Sequence, residues 1–480
     1  MTNNSLLPNQ DNFADTLVFR CFKLLVTLSF PVFFIIISFY TRYSSDDYTL
    51  MEHVRANGGA WNAANWLYFN YEGSYLIFVR EYLFFYFPIP VFLSLTLLLN
   101  IASCCFVFHS FFQRIGAKVE LIDSLLTASV IICASYFLSI DVQGTYHWMA
   151  GTTYIASLSF TFWGIGFMLR NKPWFALPFF IVVMMSRINF SLLVYSAYGL
   201  LFLYTLTFKK TFDKKMFFSL IIMAIAIVLY VVAPGNWVRS ITNENEESNI
   251  LPIIKLVLFD EYVKHLPRTL FFTTIIALIL PEALISKIRL TGWKLTLPLV
   301  TLIFFAILNM VSLFIATKLF YYGYRVWVMN TWLYIVFMTY YTLIFKSYLR
   351  NWLQKKHLSL IENIALILLM LTYLGYNAKH TITNQAIAKK YAEAYDEMVC
   401  KITKSNISKN DTLWIPFLPK EGVLREHLIE PTSPNIPYEI VRINKNFWKY
   451  YGVKGAVIMT HNSNLHERYN HINCAEKDYK

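Results

Sequence analysis

The chain has 480 residues, of which 56% are apolar or aromatic and 15% are charged, against the ~25% charged residues of an ordinary soluble domain. Phe contributes 41 residues, Tyr 32, and the net charge is +13. This excludes a disordered chain, a soluble enzyme of ordinary make-up and, with only six Cys, a secreted disulfide scaffold. What remains is an all-α polytopic membrane protein of about eleven spans, with a small C-terminal α/β module.

The first apolar run, 18–40, begins late and ends in Phe39-Tyr40 rather than in small residues. It reads as a retained span, not a cleaved signal. Residues 41–90 follow as a long outer segment of short helical pieces, with Trp61, Trp66, Tyr68, Phe69 and Tyr71 suited to the membrane interface. Further runs lie at 91–112, 121–140, 149–169, 174–186, 190–208 and 216–233. A second outer segment, 234–268, precedes runs at 269–287, 295–316, 327–345 and 359–376. Most approach the ~20 residues needed to cross ~30 Å of hydrocarbon. The run 174–186 is short, and it reads either as a span of its own or, with 190–208, as one broken hairpin. The transmembrane domain is expected over 1–376.

Residues 377–480 differ in composition. An amphipathic stretch from Asn384 to Thr403 is followed by strand-like pieces at 412–417, 438–442 and 455–459, separated by Pro- and Gly-bearing turns. Cys400 and Cys474 fall here, either as a disulfide or as two unrelated thiols.

Lys and Arg set the orientation. With a cytoplasmic N-terminus, the short inner loops collect Arg114, Lys118, Arg170, Lys172, Lys209, Lys210, Lys214, Lys215, Lys287, Arg289, Lys294, Lys346, Arg350, Lys355 and Lys356, beside Arg20 and Lys23. The positive charge is then topology, and no nucleic-acid partner is expected. An odd number of spans places the C-terminal module outside.

Ser44-Ser45-Asp46-Asp47-Tyr48 lies just past the outer end of the first span. A carboxylate there can face a wet cleft with the membrane as one wall, which suits a general base acting on a lipid-borne substrate. The same residues also fit as the first polar positions after a helix. Pro234-Gly235 ends the seventh span, so Asn236, Trp237 and Arg239 emerge at the outer surface. An Arg held there binds a phosphate through paired N–H groups, or a lipid headgroup. Arg187 sits between two spans with almost no loop, a setting in which a charge is a functional candidate or snorkels to the interface. Tyr324 and Arg325, preceding the tenth span, suit a sugar and its phosphate, or an interfacial aromatic belt. Asp141, His147 and Trp148 share one short outer loop that would make a sugar-facing lip.

No zinc-ligand spacing, P-loop, dinucleotide fingerprint or nucleophile elbow occurs. No cofactor is expected, and a divalent ion shared by Asp46, Asp47 and His147 stays open. The inner loops are too short for a nucleotide-binding domain, which argues for a lipid-linked donor on the outer face.

An acidic pair heading the first outer loop, interfacial helices behind it, ten or so spans and a soluble outer tail resemble the GT-C class of membrane glycosyltransferases. The sequence is similar to a group of bacterial members at Asp46-Asp47-Tyr48, at Tyr71-Glu72-Gly73-Ser74-Tyr75, and at Ala233-Pro234-Gly235-Asn236 followed by Arg239. One departure is Ser74, where the resemblance leads one to expect Arg; the nearest basic residue downstream is Arg80. The resemblance implies an inverting hexosyltransferase using a polyprenyl-phosphate sugar. Asp47 is the favoured base, with Asp46 beside it. Arg187, Arg239 and Arg325 are assigned to the donor phosphate, and Tyr48, Asp141, His147, Asn236 and Tyr324 to the substrates. Membrane lipids and a glycan or lipid-linked acceptor such as O-antigen complete the expected partners, at a bacterial inner membrane.

Two other classes compete. A lipid-linked glycan transporter commonly shows internal repeats and charged residues at midplane, and neither is evident. A polysaccharide polymerase or ligase more often carries its largest outer segment mid-chain, whereas here it is the C-terminus.

Overall fold

The computed structural model describes residues 17–84, 86–117, 119–139, 141–242, 261–280, 292–317, 328–355, 359–419, 424, 440–442, 450–451, 453–460 and 462–474. The fold is mainly helical. Helix α1 (Leu17–Ser38) is followed by three short helices, α2 (Ser45–Ala56), α3 (Ala60–Asn70) and α4 (Tyr75–Phe84). Then come α5 (Ile89–Arg114), α6 (Leu121–Leu138), α7 (Thr152–Leu169), α8 (Pro173–Met184), α9 (Ile188–Thr207), α10 (Lys214–Val231) and α11 (Pro234–Thr242). The bundle continues with α12 (Leu266–Ile279), α13 (Gly292–Thr317), α14 (Val328–Lys355) and α15 (Ser359–Lys404).

Seven of these, α1, α5, α6, α7, α9, α10 and α14, carry stretches long and apolar enough to cross a membrane. The protein is therefore a multi-pass membrane protein. Apolar stretches shorter than a span occupy Pro173–Met184, Leu266–Ile279 and Pro298–Asn309. The expectation of eleven spans is thus met for seven among the described residues. Large apolar side chains such as Leu200, Leu203, Ile225 and Val228 face outward on α9 and α10, as lipid contact requires.

Helix α5 packs against α6 and α7, and α1 lies between α6 and α15. Phe30, Phe33 and Phe34 of α1 surround Tyr136 of α6 at 5.4–5.9 Å between ring centroids, favourable edge contacts between aromatic quadrupoles. At the Leu17 end of α1, Lys23 bonds Asp123 at 2.7 Å and Arg20 bonds Glu120 at 2.5 Å. The short helices α2 to α4 sit at the other end.

Helix α15 crosses the boundary at 376/377 that composition marks. It runs unbroken for 46 residues, joining the last apolar run to the amphipathic stretch. Strands β1 (Thr412–Ile415), β2 (Ile440–Arg442) and β3 (Ala456–Thr460) form a sheet ordered β1-β3-β2, with β1 parallel and β2 antiparallel to β3. All three fall on the predicted strand-like pieces. A Cys400–Cys474 disulfide ties the end of α15 to the C-terminal segment.

Candidate active site

Helix α2 begins with a capping box. Ser44 Oγ accepts the Asp47 N–H at 3.3 Å, and Asp47 Oδ2 accepts the Ser44 N–H at 2.8 Å. The other oxygen, Oδ1, accepts the Ala150 N–H at 2.8 Å. Asp47 is 1% exposed. Burial pushes its carboxyl up to about 6, against the opposing pull of these hydrogen bonds. Asp46, on the same first turn, is half-buried. It is the more accessible member of the pair.

The turn that supplies the Ala150 N–H also gathers the other buried charges. Thr152 Oγ1 donates to Glu81 Oε1 at 3.2 Å. Glu81 is fully buried and ion-paired to Arg80, which also donates to Thr96 Oγ1 at 2.8 Å. Burial pushes the Glu81 carboxyl up to about 7; Arg80 and Thr152 oppose this, and the Asp47 charge adds to it. On the other side of the turn, Arg187 pairs with Glu72 and reaches Thr153 Oγ1 at 3.4 Å. Its guanidinium lies 5.2 Å from the Phe78 ring centroid and 4.9 Å from that of Tyr154, within cation–π range. Arg187 Nε is buried without a hydrogen-bond partner. Three carboxyls thus accompany two guanidiniums around one turn, and one bound proton brings the group to neutrality.

The two other sequence elements meet beside this cluster. Gly73 donates its N–H to Asn236 Oδ1 at 3.0 Å, and Asn236 Nδ2 donates to the Tyr230 carbonyl at 2.6 Å. A Cβ on Gly73 would lie 2.5 Å from that carbonyl oxygen, and one on Gly235 would lie 2.6 Å from the Tyr71 and Glu72 nitrogens. Only glycines allow this contact between the α3–α4 turn and α11. Ser74 Oγ donates to Glu72 Oε1 at 2.6 Å, so the residue standing in place of the expected Arg serves the partner of Arg187.

The remaining predicted residues are distributed differently. Tyr48 is fully buried, its hydroxyl 2.7 Å from that of Tyr395 and 2.9 Å from that of Tyr451. It joins α2 to α15 and the C-terminal module. His147 is fully buried, stacked on Phe34 at 5.0 Å, with Nε2 2.8 Å from the Tyr136 hydroxyl. Burial lowers its pKa to about 3, so the imidazole is neutral. Asp141 Oδ1 accepts the Gly144 N–H at 2.8 Å and shapes the turn that carries His147. Asn236 holds backbone, as above. Arg239 lies on α11, but its side chain is outside the described residues, as are Tyr324 and Arg325. Among the described residues no three His, Cys, Asp or Glu side chains are grouped to hold a metal ion, so Asp46, Asp47 and His147 do not form such a set.

Sequence reasoning assigned no role to Glu72, Arg80 and Glu81. The available signal was an adjacent Arg-Glu pair inside the otherwise apolar α4. No protein-family model, curated protein or solved structure matches the chain.

Proposed function

We propose that the protein is a membrane glycosyltransferase. It moves a hexose, glucosyl in the simplest case, from a polyprenyl-phosphate donor to a cell-surface glycan such as O-antigen, on the outer face of a bacterial inner membrane. The observation that carries this reading is Arg187: a guanidinium fixed by Glu72, Thr153 and two aromatic rings, with a buried Nε–H left for an acceptor oxygen. A phosphate ester supplies that oxygen, and a planar guanidinium is suited to it.

In the proposed reaction Asp46 takes the proton of an acceptor hydroxyl. The oxygen attacks the anomeric carbon, and the bond to the phosphate oxygen breaks with inversion. The bond electrons leave on the polyprenyl phosphate, whose charge Arg187 stabilises. Asp47 positions the turn that holds Asp46 through the Ser44 and Ala150 N–H groups. The Cys400–Cys474 disulfide supports an extracytoplasmic C-terminal module. The basic residues near the far ends of α1, α5 and α7 support a cytoplasmic N-terminus.

The test compares surface glycans by mass spectrometry in a deletion strain complemented with the native gene, with Asp46→Asn or with Arg187→Lys, at matched expression. Loss of one hexose increment, restored by the native gene alone, is the expected result. Full restoration by Asp46→Asn removes that residue from the chemistry. A change in chain length at constant repeat mass replaces the transferase with a polymerase.

A further inference from the structure

A second site lies behind the acidic pair. A cleft of about 690 Å³ opens where the Ser38 end of α1 and the start of α5 meet α15 and the C-terminal module. Its volume is within the ~300–1,000 Å³ usual for small-molecule sites. One lip is apolar: Phe39, Ile89 and Pro90 belong to the ends of two membrane-length helices, and Phe39 is 63% exposed. The opposite wall is polar. Arg42 and Asp396 form a double hydrogen bond, Nε to Oδ1 at 2.6 Å and Nη2 to Oδ2 at 2.5 Å, and each side chain remains 25% exposed. The half-buried rings of Tyr43 and Tyr451 flank the pair. Tyr48, the residue after the acidic pair, also lines the cleft with its ring 5.8 Å from that of Tyr43, so the cleft and the acidic pair are neighbours.

This combination has a matching ligand chemistry. The exposed edges of a carboxylate–guanidinium fork accept and donate to adjacent hydroxyls of a pyranose, and tyrosine rings pack on its C–H face. A soluble sugar has no use for an apolar lip at the ends of two spans. An acyl chain does. We infer that the cleft binds the saccharide head of a lipid-anchored glycan whose tail stays in the bilayer. Calling that molecule the acceptor rests on the transferase reading above; the binding site itself does not.

The test uses the full chain in phosphatidylcholine nanodiscs, with monoglucosyl diacylglycerol as probe and diacylglycerol as control. Hydrogen exchange is followed over residues 39–48 and 395–404. The glucolipid slows exchange in both segments by about fivefold or more, and diacylglycerol does not. Thr403→Trp, at an exposed helical position lining the cleft, puts a bulky ring into it and abolishes the protection. Asp396→Asn keeps the shape, removes the charge and also abolishes it. Equal protection by diacylglycerol, protection that survives Thr403→Trp, or no protection in the native chain each overturns the site. Binding is read without turnover. Protection in a protein that transfers no sugar removes the proposed enzyme and leaves the cleft. Transfer with an unchanged acceptor KM in Thr403→Trp removes the cleft and leaves the enzyme.

Discussion

Asn236 holds Gly73 across 163 residues of chain, accepting its N–H while donating to the Tyr230 carbonyl. The contact fixes the α3–α4 turn, and with it Glu72, against the end of α10. Gly73→Ala would drive a Cβ to 2.5 Å from the Tyr230 carbonyl and 2.9 Å from the Ala233 methyl. Such overpacking against backbone costs about 1–3 kcal/mol. Thermal unfolding in detergent should show a lower Tm for this variant, and an unchanged Tm would refute the close approach. Asn236→Ala leaves the Gly73 N–H without its acceptor, while the Tyr230 carbonyl keeps the Ala233 N–H at 3.3 Å, and should cost about 1–3 kcal/mol.

The Glu72–Arg187 pair is buried, with side chains 5% and 15% exposed. Removing one partner of such a pair strands a charge and costs about 3–5 kcal/mol. Glu72→Gln and Arg187→Gln should therefore both lower Tm, whereas Glu72→Gln with Arg187→Gln together should cost less than the sum. A double-mutant cycle on unfolding checks this. Strict additivity would show that the two side chains do not interact.

Much of this fold was legible because hydrocarbon imposes a single demand, apolar length, that composition records directly. The three strands and the short helices between residues 41 and 90 were legible for similar local reasons. The unbroken course of α15 was not: Gly375 and the change to polar residues look like a boundary, yet nothing after Tyr376 stops a helix. Nor was the site's wiring. Asp46 and Asp47 are alike in sequence, and they separate only because a capping box and the Ala150 N–H, 103 residues away, draw Asp47 inward. His147 and Tyr48 looked like surface polar residues near a loop, but packing against Phe34 and Tyr395 takes them inside.

The Cys400–Cys474 link closes a segment of 74 residues. Bridges of that kind contribute about 2–5 kcal/mol to small extracellular modules. Alkylation of the denatured, unreduced chain should label four thiols, Cys21, Cys104, Cys105 and Cys133, and reduction should add two more. Six labelled thiols without reductant would dissolve the link. Cys474→Ser should also release the module to proteolysis at lower temperature than the native chain.

The buried carboxyls give stability a direction with pH. Asp47 titrates at about 6 and Glu81 at about 7 in the folded protein, against reference values of 3.8 and 4.5. Between those limits the folded chain binds more protons than the unfolded chain. Stability therefore falls as pH rises, since the slope follows the excess of protons in the unfolded state. The contribution is complete below about pH 4 and lost above about pH 7. Tm in a mild detergent should decline across that window. Asp47→Asn cannot titrate and should flatten the lower part of the decline, and Glu81→Gln the upper part, whatever each does to Tm at a single pH. Comparing slopes rather than absolute Tm separates titration from lost packing. If both variants keep the native slope, the pH dependence originates elsewhere, and neither carboxyl is held protonated by its surroundings.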